Sequence, residues 1–474
     1  MGQLVRLSAG DVGNLLVERA GMPFHVGLLA RLEGREASPE ALAAAVAGAV
    51  EARLALVPKL RQIVVWPRFG CGRPYWCDHE RFTIGEHVRH LRVEAPGDEA
   101  ALLAAVARLD EEILDRERPL WQLWVLTGLA SGGAAIYFKL HHAVADGIAA
   151  VATLGALLDP PGVGAPPADA HRPWVPSPPP SRWELVEDNA RGRARDVARA
   201  LAYLVHPTAS ARHLAAVVRS GIADMAGSPK TPRCSLNRPL GPRRSITTMH
   251  VPLAEAKAAA HAAGGSVNDV VLTVVGGGLR ALFAARDERP SAPIAVSVPM
   301  SMRSAGGDPA GNQVAVQRIP VPVDEADDHR LLARVVETTG ARKRLGRVSG
   351  YNALASELIP LHLRRWVMDR MATADQKMVN LFVTNVPGPT AHLRLGGRRL
   401  LDAYPVAPLA GNVTVGVAVF SYAGELYVVV HTDPDANPDV DVMAAGMWRS
   451  FGVLLGIREG GQCPRPPTAR RERP

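Results

Sequence analysis

FKLHHAVADGIAA, Phe138 to Ala150, ends an apolar run on two adjacent histidines and places Asp146-Gly147 four residues later. GAAIYFKLHH reads as an apolar strand and GIAAVATLGALL as a helix of small residues, so the histidines fall where a strand gives way to a helix. Adjacent residues on a strand point to opposite faces. His141 and His142 therefore have different tasks, one ring belonging to the scaffold and the other facing a cavity. A neutral imidazole is the side chain best matched to taking a proton near neutral pH. Asp146 either holds a histidine tautomer or pairs with a distant arginine, and Gly147 supplies space or a backbone angle that a side chain forbids. The plain alternative for either ring is a satisfied core histidine. Metal binding fits less well, because neighbouring strand histidines diverge and no further His/Asp/Glu cluster completes a ligand set.

Outward from this motif, the chain of 474 residues is too long for one ordinary core, and two domains are expected. Apolar residues at 47% and charged residues at 21% fit a soluble globular protein. The formal charge of +8 suits an anionic partner, whether a phosphate-bearing cofactor, an acidic membrane surface or nucleic acid, without choosing among them. No nucleic-acid motif accompanies that charge. Cys71, Cys77, Cys234 and Cys463 form no CxxC pair and are too few for a disulfide framework, which points to a reducing, cytoplasmic setting. MGQLVRLSAGD lacks a signal-peptide profile, and Arg6 breaks the myristoylation pattern. VVLTVVGGGLRALFAA, the longest apolar candidate, is interrupted by Arg280 and falls short of the ~18 residues of a spanning helix. Any membrane contact is expected to be peripheral.

A first mixed α/β unit is expected over residues 1–158. Ser38-Pro39-Glu40 opens a helix running through ALAAAVAGAVEARLALV, and a second covers Asp98 to Ile113. WQLWVLTGL and GAAIYFKLHH are strands joined by a tight turn. Residues 159–243 begin with a Pro-rich crossover, DPPGVGAPPADAHRPWVPSPPPS, that continues neither helix nor sheet. Two basic helical stretches follow, ARGRARDVARALAYLV and ASARHLAAVVRSGIADMA, either solvated amphipathic helices or a pair lying on an anionic lipid surface. Residues 244–458 form a second α/β unit. Its strands are SITTMHVPL, APIAVSVPMSM, NLFVTNVPGP, NVTVGVAVFSYAG and ELYVVVHTDP, and its helices NDVVLTVVGGGLRALFAA and VDVMAAGMWRSFGVLLGI. Gly276-Gly277-Gly278 imply close packing against another element or a lipid chain, or simple tolerance. Residues 459–474 have too little apolar content to pack and are expected to be disordered.

HHAVADG (His141–Gly147) matches the HHxxxDG signature of CoA- and carrier-dependent acyltransferases. Within that group the chain resembles the bacterial wax ester synthase/diacylglycerol acyltransferase family. LSAGD…MPFHVG (Leu7 to Gly27), Pro119-Leu120-Trp121, Asn268-Asp269, VPMSMRS, Gly311-Asn312-Gln313, TNVPGP and SYAGELYVVVHTDP follow in the family's order across most of the chain.

The resemblance implies an α/β fold of two chloramphenicol-acetyltransferase-like domains, each a mixed sheet flanked by helices, with an active-site tunnel at their interface. It implies acyl transfer from acyl-CoA, as co-substrate with no bound cofactor or metal, to diacylglycerol or a fatty alcohol, yielding triacylglycerol or wax ester. His142 would be the general base, acting without an acyl-enzyme, while Asp146 would be structural, with Arg303 as its candidate partner. Arg303 as an exposed strand end or a CoA phosphate contact stays open. Asn268 would donate to the oxyanion or orient the acceptor; the plain reading is that Ser266 and Asp269 cap a helix, and the two coexist if Asp269 caps while Asn268 faces the cavity. Pro119, Leu120 and Trp121 are expected to shape the cavity wall, chiefly in a structural role. A carrier-dependent, condensation-type transferase and a non-catalytic lipid-surface protein are the alternatives. A cytoplasmic enzyme, peripheral on the inner face of a membrane or on lipid droplets, is the expected setting.

Overall fold

The computed structural model describes residues 4–34, 38–159, 174–205, 231–301, 314–344, 376 and 378–457. Strand β1 (Val5–Arg6) and helix α1 (Ala9–Val17) precede β2 (His25–Leu32) and α2 (Pro39–Glu51). The pair β3 (Gln62–Val65) and β4 (Tyr75–Asp78) comes next, then β5 (Val88–Arg92), α3 (Glu99–Glu111), β6 (Trp121–Thr127), β7 (Ala134–His141) and α4 (Gly147–Leu157). Later in the chain stand α5 (Arg182–Val205), β8 (Ser245–Pro252), α6 (Leu253–Ala262), α7 (Val267–Ala285), β9 (Ile294–Ser301), β10 (Val314–Val321) and α8 (Asp328–Arg344). The last elements are β11 (Leu381–Pro387), β12 (Arg394–Leu395), β13 (Arg398–Arg399), β14 (Tyr404–Val406), β15 (Val415–Tyr422), β16 (Glu425–Thr432) and α9 (Val440–Leu455).

Two mixed sheets organise the chain. One has the order β14-β2-β7-β6-β5 and the other β10-β9-β11-β15-β16-β8. In the first, all eight residues of β7 are buried, as expected of a central strand covered on both faces. Its register with β2 sets His25 opposite His141. The second sheet is antiparallel at its rims and parallel where β11 lies between β9 and β15. Its near-continuous Val/Ile/Leu strands fit a sheet buried by helices.

Strand β14 belongs to the second half of the sequence but forms the edge of the first sheet, with Tyr404 opposite Leu29 and Val406 opposite Gly27. Asp402 secures the crossing by accepting from the Arg31 amide at 2.7 Å and pairing with its guanidinium. The sequence pattern gave no strand here. Three residues with a central proline carry little signal, and Pro405 is tolerated because an edge strand leaves one side unpaired.

Several boundaries differ from expectation for local reasons. The helix expected through Val57 ends at Glu51 and gives way to short 3-10 turns over Leu54–Leu56 and Pro58–Arg61, separated by Val57, which precedes Pro58 and is held out of the helical region. Asp98 caps α3 rather than opening it. Helix α5 starts eight residues before the expected stretch, where the Ser181 hydroxyl accepts from the Glu184 amide. The second basic stretch, VPMSMRS beyond Ser301, Gly311-Asn312-Gln313, Arg303 and the tail lie outside the described residues.

Helix α7 is the one described helix long and apolar enough to cross a membrane, yet it is mostly buried inside the protein. Gly277 and Gly278 pack against Ser450, Met443 and Met447 of α9, and Gly276 against Val321 of β10 and Leu331 of α8, so the close packing is against other elements of the protein. A Cβ on Gly278 would stand 2.8 Å from the Met443 carbonyl oxygen, and one on Gly446 would stand 2.7 Å from the Ala281 Cβ. Backbone cannot yield as a side chain can. Gly278→Val is therefore expected to destabilise the protein by about 1–3 kcal/mol through overpacking, read as a lowered urea midpoint with little change in slope.

Candidate active site

The two sheets, with helices α1 and α4, enclose a cavity of about 1050 Å³, slightly above the usual ~300–1,000 Å³ of a ligand site. Val26, Leu28 and Phe138 come from the first sheet, Phe382, Ala418 and Phe420 from the second, and Ile148, Val151 and Leu154 from α4. Polar groups are few: Ser8, Asn14, His142, Ser297, Thr384, Asn385 and Tyr422. A largely apolar space with a handful of polar groups among its described lining suits a greasy chain carrying one reactive head.

His142 is put at this cavity by the way β7 ends. The His141 amide donates to the Leu120 carbonyl and the His142 amide to the Phe24 carbonyl, both at 3.0 Å. The strand then turns, and the Val144 amide bonds back to the His141 carbonyl at 2.9 Å. Asp146, buried, accepts from the Ala149 amide at 2.8 Å and so caps α4. Gly147 follows where α4 meets the second sheet, and a Cβ there would lie 3.3 Å from Val386 Cγ2. Strand end, turn and helix cap thus occupy seven consecutive residues.

The two rings do part company. His141 is fully buried, and its Nδ1 accepts the Ala143 amide at 2.9 Å. Its proton is therefore on Nε2, which stands 3.4 Å from Glu18 Oε1. Burial pushes the His141 pKa down. Burial alone would raise Glu18, but His141, the Phe24 amide and Arg116 outweigh it and hold that carboxyl at about 2. This ring is a neutral strut between a strand end and a buried carboxylate.

His142 is half-buried and lines the cavity. Burial pushes its pKa below the usual 6.5, opposed by a hydrogen bond between the ring and its own carbonyl. That bond keeps a proton on Nδ1, which makes Nε2 the nitrogen that can accept one. The Asn14 amide donates to the same carbonyl at 3.1 Å and stands 3.2 Å from Nδ1, while Phe24 packs on the ring with centroids 5.4 Å apart.

The other sequence candidates sit elsewhere. Asn268 is half-buried in the first turn of α7 and is not among the described residues lining the cavity. Its neighbour Asp269 accepts from the Ser266 amide and hydroxyl, each at 2.7 Å, and from the Thr339 hydroxyl at 2.7 Å, which caps α7 and ties it to α8. The geometry thus supplies the capping role for Asp269. Leu120 and Trp121 are buried and are not among the described residues lining the cavity; Trp121 lies beside the histidine strand, opposite Leu140 and against the lining Phe138. Trp121 donates from its indole to the Leu60 carbonyl at 2.7 Å and stacks on His87 with centroids 4.7 Å apart. Arg303 lies outside the described residues, so the structure gives no partner assignment for it.

A second polar group lies behind the strands. The Asp110 carboxylate, on α3, takes His25 Nε2 at 2.9 Å, the Tyr137 hydroxyl, and His431 Nε2 at 3.4 Å. Burial opposes its charge, but the two histidines and the tyrosine outweigh that and hold it far below the usual carboxylate range. His431 comes from β16, so the carboxylate bridges the two sheets.

Sequence reasoning gave no role to Asn14, Phe24, Ser297 or Thr384. Asn14 and His142 are separated by 128 positions, and no local spacing reports such a contact.

Comparison with known proteins bears on what this site does. A model of the wax ester synthase/diacylglycerol acyltransferase catalytic domain matches residues 7–271, and one of the corresponding C-terminal domain matches residues 310–454. A probable diacylglycerol O-acyltransferase of Mycobacterium tuberculosis is 31% identical over 469 residues, 96% of each chain. A putative diacylglycerol O-acyltransferase of the same species is 29% identical over 395 residues, 80% of each. Among solved structures, a wax ester synthase/diacylglycerol acyltransferase from Marinobacter aquaeolei VT8 superposes with a TM-score of 0.67 at 22% identity, covering 96% of this chain and all of that one. The first condensation domain of the CDA synthetase superposes at 0.56 with 18% identity, covering 96% and 97%. These likenesses show the fold, which is the two-domain chloramphenicol-acetyltransferase-like one.

Two outcomes are expected of the His142 environment. The acidic limb of kcat/KM against pH should have its midpoint below 6.5, because a base with a depressed pKa stays unprotonated further into acid. Asn14→Leu removes a bond worth about 1 kcal/mol and should lower kcat about fivefold, with KM for the acyl donor little changed.

Proposed function

From membership of the wax ester synthase/diacylglycerol acyltransferase family, to which this chain belongs as an acyltransferase, we propose that it moves a long-chain acyl group from acyl-CoA to the hydroxyl of diacylglycerol or a fatty alcohol. The supporting observation is a proton-accepting imidazole, His142, on a largely apolar cavity built by both halves of the chain. Nε2 takes the acceptor's hydroxyl proton as the oxygen attacks the thioester carbonyl. The imidazolium returns that proton to the departing CoA sulfur as the tetrahedral intermediate collapses. The new C–O bond replaces the C–S bond, and the products are an ester and free CoA. No side chain is acylated, so the scheme needs no serine or cysteine nucleophile.

Supporting roles follow from contacts. Glu18 and His141 hold the strand end, Asp146 caps α4, and Asn14 with Phe24 fixes the orientation of the His142 ring. Gly147 lets α4 approach Val386 of β11 closely at the cavity wall. An apolar acceptor resides in a lipid phase, and the chain's positive charge favours an anionic one. The setting we propose is cytoplasmic, peripheral on a membrane or lipid droplet.

His142→Ala should lower kcat by about 10²- to 10⁴-fold, the ordinary worth of general-base assistance, with the fold retained by circular dichroism. The assay pairs radiolabelled palmitoyl-CoA with a panel of diacylglycerol, long-chain alcohols and amines. Wild-type turnover by the alanine variant would remove the imidazole from the reaction, and preference for an amine would favour condensation-type chemistry instead.

A further inference from the structure

We propose that the loop between β3 and β4, WPRFGCGRP from Trp66 to Pro74, docks the protein on an anionic lipid surface beside one end of the cavity. The proposal rests on the lipid acceptor assigned above, because only such a substrate has to be drawn from a lipid phase.

The loop is pinned at its base and exposed at its tip. Cys71 and Tyr75 are buried together with Leu185 of α5. The Arg6 guanidinium donates to the Arg73 carbonyl at 2.6 Å, and the Asn189 amide of α5 donates to the Gly70 carbonyl at 2.9 Å. Gly70 and Gly72 take φ values of +87° and +89°, which let the chain turn sharply between these anchors. Against that fixed base, Trp66 is exposed and Phe69 is fully so. A tip held ready loses little freedom on binding.

Composition selects the partner. The loop holds two aromatics and two arginines and no acidic residue. Arg68 and Arg73 make no ion pair with any described residue, and both are exposed. Trp and Phe at a membrane interface bury their rings at the headgroup level, while arginines close to an anionic leaflet gain electrostatic attraction. Trp183, also exposed, starts the helix that braces the loop. Its acidic neighbours are engaged, Glu184 by the Ser181 amide at 2.6 Å and Glu187 by Arg191 at 2.5 Å. A second copy of the chain is the poorer occupant, because a two-fold contact would set Arg68 and Arg73 against themselves.

Continuity with the cavity gives the position meaning. The Leu7 amide donates to the Pro74 carbonyl at 2.9 Å, and the next residues, Ser8, Ala9 and Gly10, line the cavity. The exposed tip and the cavity wall are thus joined through one hydrogen bond.

The test uses the full chain, sedimented with vesicles of phosphatidylcholine and phosphatidylglycerol in equal parts, and with phosphatidylcholine alone. W66A/F69A and R68E/R73E should each lower the vesicle-bound fraction about tenfold on the mixed vesicles, and the wild type should bind the neutral ones weakly. Both variants should keep wild-type turnover on a short, water-dispersed alcohol and lose it on vesicle-borne diacylglycerol. Wild-type vesicle binding by both variants overturns the proposal. So does a wild type that ignores anionic vesicles, or a loop that proves to drive self-association by size-exclusion chromatography instead. Loop-dependent vesicle binding without any acyl transfer would leave docking intact and sink the enzymatic reading, and the reverse result would do the opposite.

Discussion

A buried carboxylate that two halves of a chain must share is the constraint on which this architecture turns. Asp110 is out of water and keeps its charge only because His25, Tyr137 and His431 surround it. An uncompensated charge at that depth costs several kcal/mol. That charge is compensated only when β2, β7 and β16 are all in place, so the carboxylate ties the two sheets to one relative position. That position leaves the apolar cavity between them. Lys139, beside the same carboxylate, is spent on the carbonyls of Leu109 and Glu112, and burial lowers its pKa to about 8.

Around that frame, each histidine of the pair inherits its character from what its backbone neighbours do. The strand carries His141 inward, where an amide takes one nitrogen and Glu18 faces the other. One residue later the chain has begun to turn, so the His142 ring meets the cavity with its carbonyl held from α1. Burial serves opposite ends at the two places. It makes the first ring inert and the second a better-poised acceptor, since an imidazole kept neutral is one that can take a proton.

Much of this was legible in the sequence, and the exceptions share a physical origin. The strand-turn-helix at HHAVADG could be read from an apolar run, a cap residue and a glycine within thirteen positions. The mixed α/β architecture could be read from the alternation of strand and helix patterns. What could not be read depends on contacts between distant segments. Asn14 touches His142 from another element, β14 leaves one half to complete the other's sheet, and Trp121 supports the histidine strand through Leu60 and His87. Asn268 shows the converse. Its motif marks the start of α7, and the capping network there accounts for Asp269.

The excursion of β14 also bears on how such chains can be recombined. Without Tyr404–Val406, β2 would present a bare row of amides and carbonyls on the cavity side of its sheet, an invitation to pair with whatever chain is near. Any hybrid spliced at the proline-rich crossover would hand the first sheet a stranger's edge. Modular exchange in this architecture therefore has to carry the visiting strand together with its host, and the natural unit of inheritance is larger than either half.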